Sequence, residues 1–467
     1  MTTLPAPIAK TYQLTDVGNA ERLVDLYGRD FRWIPRWKSF IVWDGRRWAR
    51  DEFGEMERKA TTMARTMLRE AVELAPDNAR RPMLLKHAER SESARGVENC
   101  LKLVRSRPGV AISYAALDQQ AMRLTVRNGT VDLSTGTLLP HDRLEYSTKL
   151  VDIDYDPDAT CPVWDRTLRV IMDGRADLVE YWQRAIGYSI TGDTREQCLH
   201  LCHGSGSNGK STILDVLEQL TGEYGAQADF NTFLERRNDS GPRNDIARLA
   251  GARLVRSSEI GENKRLNEGL IKSITGGDTI TARFLYSEDF EFKPMFKLWL
   301  AANHKPVIRG TDWAIWRRVR LLPFDVTITP EQRDDELPKK LKQELPGILN
   351  WAIAGCLRWL ESGLNPPQIV LAATAEYRSE SDSIGTFISE QCEVGKAFEV
   401  SAGDLYKAFK RWASENGEHE MSNTMFGRRL SERGFEVRKQ GAYKYRVGLR
   451  LEESFVPESE DIPSWLR

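Results

Sequence analysis

"GSGSNGKST", residues Gly204 to Thr212, decides the fold. The stretch satisfies two glycine patterns at once. Gly204, Gly206 and Gly209 spell G-x-G-x-x-G, the pattern of a dinucleotide fold. Gly204, Gly209, Lys210 and Ser211 spell G-x-x-x-x-G-K-S, the P-loop of an NTPase. "CLHLCH" before the stretch reads as a strand, and "ILDVLEQLTG" after it reads as a helix with a glycine stop. Strand, loop and helix in that order are the context both patterns need.

Working outward separates them. A dinucleotide fold needs an acidic residue about 20 positions further on, at the end of a second strand. Asp229 is near that distance, but "AQADFNTF" lacks a strand pattern. The P-loop reading uses more of the residues. Loop N–H groups point at phosphates, and the helix N-terminus adds positive potential. Lys210 reaches the β and γ oxygens, and the Ser211 hydroxyl ligates Mg2+. The expected ATP-binding set is Gly204, Gly206, Asn208, Gly209, Lys210, Ser211 and Thr212.

Hydrolysis needs a carboxylate at the end of a nearby strand. In "GARLVRSSEIGE", Leu254 and Val255 form the strand and Glu259 is placed to polarise water and join Ser211 at the metal; alone, it also reads as a solvated turn glutamate. "FKLWLAAN" is an apolar strand ending in Asn303, where a polar side chain can hold the lytic water. "DWAIWRRVRLLPF" carries Arg317 and Arg318 into another strand. An arginine donated by a neighbouring subunit stabilises charge on a transferring phosphoryl group; a solvated helix end is the bland reading.

The chain of 467 residues is too long for one ordinary core, and two to four domains are expected. No apolar run is long enough for a bilayer, and "MTTLPAPIAKTYQL" has no basic region followed by an apolar stretch. Six cysteines do not make a disulfide framework, so a reducing cytoplasm is expected. The net charge of -1 means that any surface for nucleic acid must be local.

A mixed α+β N-terminal domain is expected over 1–160. Its "SFIVWDGRRWARD" reads as a hairpin turning at Asp44-Gly45, within a run holding Trp33, Trp37, Trp43 and Trp48. A packed sheet is the first reading of these tryptophans. Base stacking is the second, because Arg46, Arg47 and Arg50 lie beside them. Residues 55–107 read as charged helices, and Asn128-Gly129 marks another hairpin turn. The ATPase is expected over 161–330 and a helical bridge over 331–370. Residues 371–450 read as helix, helix and two-stranded wing, and 451–467 as an acidic tail.

The assembled order resembles the superfamily 3 helicases, compact AAA+ ATPases, and more closely the phage/plasmid primase–helicase family, which shares its motor with poxvirus NTPase-primases. "GSGSNGKST", "RLVRSSEIGE", "IKSITGGDTITARFLYSEDFEFKP", "LAANHKP" and "WRRVRLLPF" are similar to its motor motifs. "FIVWDGRRWARD", "VRNGTVDLSTGTL" and "RAIGYSITGD" resemble the domain before the motor, and "AEYRSESDSIGTFISEQC" the entry to the last one. The resemblance covers most of residues 20–450.

It implies an α/β P-loop core of AAA+ type between the mixed N-terminal domain and a C-terminal winged helix. It implies Lys210, Glu259 and Asn303 as catalytic residues, with Arg318 as the trans finger and Arg317 the close alternative. A head-to-tail contact closes into a ring, and the family implies a hexamer moving 3′ to 5′ on single-stranded and forked DNA in a bacterial host's cytoplasm. A separate primase or origin-binding protein is an expected partner, since the chain leaves no room upstream for a primase domain. The hairpin between Thr279 and Pro294 would line the pore. Its tip, "YSED", departs from the family in lacking a basic residue. Arg283 and Lys293 flank it and Tyr286 could stack on a base, or the two cations only pair with Glu288, Asp289 or Glu291. In the last domain, Arg428, Arg429, Lys439 and Lys444 would hold duplex DNA, with Arg433 and Arg446 nearby.

Two further groups have bland readings that are preferred. "CLHLCHG" offers zinc-type ligands, but alternation puts Cys198, His200 and Cys202 on one face of a buried strand and His203 on the other. "VDIDYD" has the carboxylate spacing of a primase metal site, but matches the family's linker. The rival function is an AAA+ origin-binding or helicase-loading ATPase that does not itself unwind.

Overall fold

The computed structural model describes residues 11–236, 243–258, 264–283, 289–308, 313–416, 421–441 and 443–452. Helix α1 (Asp16–Tyr27) starts behind Thr15, whose side chain accepts from the Gly18 N–H and serves a first-turn donor. An antiparallel sheet follows: β1 (Phe31–Ile34), β2 (Ser39–Trp43) and β3 (Trp48–Arg50). At the turn between the last two, Asp44 accepts from the Arg46 and Arg47 N–H groups and Gly45 takes φ +101°. Helices α2 (Glu55–Glu73), α3 (Arg80–Glu92) and α4 (Ala94–Val104) complete this part. Met56, Ala60, Met63, Met67 and Ala71 make a buried stripe along α2 at helical spacing, in one core with Phe31, Trp33 and Phe40.

A second small sheet holds β4 (Arg123–Val126), β5 (Gly129–Asp132) and β6 (Thr137–Leu139). Val126 pairs with Gly129, so the turn residues are Arg127 and Asn128 rather than Asn128 and Gly129. Gly129 is needed for close approach: a Cβ there would meet the Leu139 carbonyl oxygen at 2.5 Å.

Helices α5 (Pro162–Ile171) and α6 (Ala176–Ser189) lead into the central sheet. Its elements run β7 (Leu199–His203), α7 (Lys210–Thr221), β8 (Gly225–Gln227), α8 (Asn244–Ala247), β9 (Leu254–Ser258) and α9 (Glu268–Gly276). A hairpin of β10 (Ile280–Ala282) and β11 (Phe290–Phe292) intervenes before β12 (Lys297–Ala302), α10 (Trp313–Trp316) and β13 (Val319–Pro323). The five central strands are parallel, in the order β13-β7-β12-β9-β8. Both faces are covered, as parallel sheets require. Leu199, Leu201, Val255, Leu298 and Leu300 face one core with Ile271, Ile274 and Trp316. Cys202, Leu254, Trp299 and Leu322 face the other, with α6, α7 and the long helix α12 (Leu345–Ser362), which follows α11 (Leu337–Gln343).

The boundary expected at residue 160 falls inside that second core. Leu124, Val131, Val151 and Ile153 pack in it with Trp164 and Trp182, so the second small sheet is built onto the central one. The boundary expected at 371 falls inside α13 (Gln368–Glu380), whose Tyr377 packs in the central core. A separate core begins at Ile384. It joins α14 (Ser383–Gln391), α15 (Ala402–Glu415) and α16 (Asn423–Glu432) to a sheet of β14 (Cys392–Ser401), β15 (Val437–Gln440) and β16 (Tyr443–Leu451), in the order β14-β16-β15. Strand β14 has no counterpart in the sequence reading. Most of the expected tail, residues 453–467, lies outside the described residues. Among the described residues, no helix is long and apolar enough to cross a membrane.

Candidate functional site

The glycine loop leaves the carboxyl end of β7 and enters α7. Its pattern glycines answer to sterics. Gly209 caps α7 at φ +83°, and a Cβ there would meet Ile171 Cδ1 at 2.4 Å. A Cβ on Gly204 would meet the Phe324 carbonyl oxygen at 2.3 Å, and Gly206 takes φ +109°. Lys210 is only 6% exposed. Its Nζ donates to the Gly204 carbonyl at 2.6 Å and to Asn208 Oδ1 at 3.1 Å. Asn208 in turn donates from Nδ2 to the Phe324 carbonyl at 3.2 Å. Burial pushes the Lys210 ammonium below its ordinary pKa. Ser211 is exposed and Thr212 half-buried at the first turn of α7. A buried cation held by the loop's own oxygens can exchange them for anionic ones, which make stronger charge-assisted bonds.

Strand register brings the other expected residues to the same edge. His203 pairs with Ala302 on one side and with Pro323 on the other. Asn303, exposed, therefore leaves β12 beside Gly204, one strand spacing of about 4.8 Å away. Ser258 pairs with Ala301, so β9 ends level with this edge. Glu259, the next residue, lies outside the described residues. Arg256, which interrupts the apolar pattern of β9, bridges to α7 through Asp215 at 2.6 Å and Glu218 at 2.5 Å.

The two arginines before β13 point apart. Arg318 is 7% exposed, and its Nε donates to Thr275 Oγ1 at 3.0 Å, at the end of α9. Arg317 is exposed, and its Nη2 donates to Gln197 Oε1 at 2.9 Å. The residue favoured from sequence as the finger is thus the inward one, since in the turn after α10 Arg318 bonds Thr275 and the Ala314 carbonyl. Gln197, which holds Arg317 and takes φ +49°, carries no motif that marks it in the sequence.

Of the expected pore residues, Tyr286 lies outside the described residues, as do Ser287 and Glu288 of the hairpin tip. Arg283 stands 3.5 Å from Asp289, and Lys293 is exposed. In the last domain, Arg428 is exposed and 3.5 Å from Glu432. Arg429 is half-buried, and burial lowers its pKa while Glu268 of α9 and Asp382 act on it. Lys439 and Lys444 are exposed and directly opposite each other across β15 and β16. Arg446 is internal: it donates to Ser431 Oγ at 2.7 Å and to the Phe435 carbonyl at 2.9 Å, tying the strands to α16. Arg433 pairs with Asp382.

His200 stacks on Trp299 with centroids 4.1 Å apart, and burial pulls its pKa down to about 3. Among the described residues, no three His, Cys, Asp or Glu side chains group to hold a metal. Asp152 and Asp154 flank one guanidinium, that of Arg127, at 3.0 and 2.9 Å.

Residues 20–173 match the family model described as D5 N terminal like, residues 202–318 a family of unknown function, and residues 379–455 the model described as Poxvirus D5 protein-like. The chain is 30% identical over 327 residues to "Putative helicase L207/L206" of Acanthamoeba polyphaga mimivirus, covering 64% of this chain and 34% of the relative. It is 30% identical over 258 residues to "Putative helicase 022R" of Frog virus 3, covering 51% and 26%. Similarity to "Primase D5" of Fowlpox virus is 26% identity over 155 residues, 32% of this chain and 19% of the relative. The chain thus spans about a third or less of these relatives. The solved apo NrS-1 C terminal region aligns over 90% of this chain and 96% of its own, at 10% identity and TM-score 0.45. The chain thus matches D5-type family models toward both ends and is similar to viral proteins named putative helicase and primase.

Proposed function

We propose that this chain is the ATP-driven motor of a ring-shaped replicative DNA helicase. One observation carries the reading: the glycine loop, its buried Lys210 and exposed Ser211 share the carboxyl edge of a parallel sheet with Asn303. Ligands of such sheets bind at that edge. The loop fits a nucleotide triphosphate, because its glycines leave the backbone open and its cation is held only by exchangeable oxygens. Bound Mg-ATP supplies the phosphoryl group and the metal charge. Lys210 turns from Gly204 and Asn208 to the β and γ oxygens. Ser211 and Glu259 would hold the Mg2+, Glu259 would polarise the attacking water and Asn303 would orient it. Arg317, the outward arginine, enters a neighbour's site as the finger, which requires a head-to-tail ring; a hexamer is the proposed size.

The hairpin with Arg283, Tyr286 and Lys293 faces the pore in this reading, and movement is 3′ to 5′ on single-stranded DNA. The core is of AAA+ type. The last domain acts as a winged helix on duplex DNA through Lys439 and Lys444. Two lysines directly opposite each other repel, and a polyanion relieves that. The setting in a phage, plasmid or mobile element of a bacterial host, with a separate primase or origin-binding protein, belongs to the same proposal. The tip "YSED" favours a second reading, an origin-binding or loading ATPase that does not unwind.

A fork-unwinding assay with ATP and Mg2+, on wild type and Lys210→Ala, separates these. Unwinding lost in the variant supports the motor. ATP hydrolysis and ring assembly without any strand separation support the loader. Equal nucleotide affinity in both proteins removes the ATP-site reading.

A further inference from the structure

The N-terminal sheet carries a feature that the ATP site does not use. A concavity of about 500 Å³ opens beside it, lined by Arg29, Arg32, Trp43, His141, Arg143 and Leu144 among others. Among the described residues Asp142 is the one carboxylate of its lining, and it is engaged with the Leu144 N–H at 2.9 Å. Arg143 lies over the Trp43 ring at 5.7 Å from its centroid, and Arg32 over Trp48 at 5.0 Å. Trp43, half-buried, also lines a second concavity of about 280 Å³ on its other side. There Phe53 is 84% exposed, the most exposed large apolar side chain among the described residues. That second hollow is lined by three cations, Arg50, Arg58 and Lys59, and by four carboxylates, Asp44, Asp51, Glu52 and Glu55, with Arg58 and Lys59 paired with Glu55, so it carries no positive excess. In the first hollow Arg143 stands 3.2 Å from Asp30, so three arginines there face two carboxylates and the excess positive charge is on that side.

We propose that these two hollows form a path for single-stranded DNA, separate from the central pore and from the wing. Bases stack on Trp43 and Phe53, and phosphates rest against Arg29, Arg143 and Arg32. Aromatic faces beside arginines are how proteins hold single strands without reading sequence. The positive excess of the first hollow argues for a polyanion whose phosphates keep to that side, and Trp43, which lines both hollows, with Phe53, which lines the second, argue for successive bases rather than one. The folded arrangement also divides the tryptophan run by role. Trp33 and Trp48 are buried in packing, whereas Trp43 keeps an open face.

The test is photocrosslinking of an oligonucleotide carrying 5-iododeoxyuridine to the full chain without ATP, followed by peptide mapping. Crosslinks at Trp43 or Phe53 are expected. Binding of an oligothymidylate is measured in parallel on Arg29→Glu/Phe53→Ala, both exposed positions that leave the core intact. Affinity falls about tenfold, within the range for losing one stacked base. The slope of log affinity against log salt becomes shallower by about 0.7 for each phosphate that the variant no longer neutralises. Crosslinks confined to residues outside the N-terminal sheet, or unchanged affinity in the double variant, overturn the proposal. So does complete displacement by millimolar thymidine monophosphate or inorganic phosphate, which makes the hollow a small-anion site. Because no ATP is present, failure of the motor reading leaves these outcomes unaffected.

Discussion

The central sheet holds buried cations at both of its ends, in opposite ways. At the carboxyl end, Lys210 rests on one carbonyl and one amide oxygen, both from the six-residue loop that precedes it. At the amino end, Lys297 is 1% exposed and donates to the carbonyls of Thr191, Asp193 and Met295, with its Nζ 4.8 Å from the Tyr188 ring centroid. Arg253 beside it donates to the carbonyls of Ile190 at 3.0 Å, Gln120 at 2.9 Å and Arg123 at 2.6 Å. Those oxygens come from the end of α6 and from the segment entering the second small sheet. The first cage is made of glycine-rich backbone that can open; the second ties three parts of the core together. Burial lowers the pKa of both lysines, so burial alone does not mark a functional cation. What marks it is whether its partners can be exchanged.

The sharpest break in that comparison comes from the arginine pair, where the same contrast lies between neighbours in the chain. Arg317→Ala is expected to lower ATP turnover by about 1,000-fold, the scale of a lost finger, with the melting temperature unchanged. Arg318→Ala removes a buried donor from Thr275 and is expected to cost about 2 kcal/mol of stability. Steady-state ATPase rates and thermal melts of the two variants decide it. If Arg318→Ala is the stable, inactive protein, the inward arginine swings out on assembly and the assignment reverses.

Next in size is the pair of lysines. Lys210→Ala is expected to lower ATP turnover at least about 100-fold, as for removal of one preorganised donor, without loss of folded protein. Lys297→Met is expected to do the reverse. It leaves three carbonyls without their donor and costs about 2 kcal/mol, while turnover per folded molecule stays within about twofold. Denaturant unfolding beside ATPase assays reads both. Equal stability loss in the two variants erases the distinction drawn between the two ends.

The two ends are unequally legible in the sequence. At the carboxyl end, left-handed φ angles and close backbone approach restrict residue type at Gly204, Gly206 and Gly209, and the proposed phosphate chemistry would restrict Lys210 and Ser211, so the loop leaves a pattern. At the amino end, Lys297 and Arg253 are satisfied by carbonyls, which any residue supplies, and "GARLVR" and "FKLWLAAN" read as ordinary strand starts. The same blindness hides Gln197. It also produces the boundary at residue 160: a chain reading ends one domain where a linker-like "VDIDYD" occurs, but Val151 and Ile153 are already in the central core. Strand β14 is hard to see because "CEVGKAFEVS" mixes glycine and charge, and it is held by pairing with β16 and not by its own pattern. Sequence ranks Arg317 and Arg318 by proximity to a strand, which says nothing about which way the turn between α10 and β13 directs each side chain.

The smallest effect tests the cage at the amino end by its protons. Burial holds the Lys297 pKa well below 10.5 in the folded chain. Between that lowered value and 10.5, the unfolded chain binds a proton that the folded chain does not. Stability therefore rises with pH across this window, because unfolding must take that proton up. The slope is at most about 1.4 kcal/mol per pH unit for a single group. Other buried groups titrate here too, so the useful quantity is the difference between wild type and Lys297→Met. That difference is expected to widen in favour of wild type as the pH of urea unfolding is raised from neutral toward 10.5. Parallel curves would mean that the three carbonyls and the Tyr188 face keep the ammonium charged as firmly as water does. The amino-end cage would then stabilise a full charge in the core, and the contrast with Lys210 would rest on partner exchange alone.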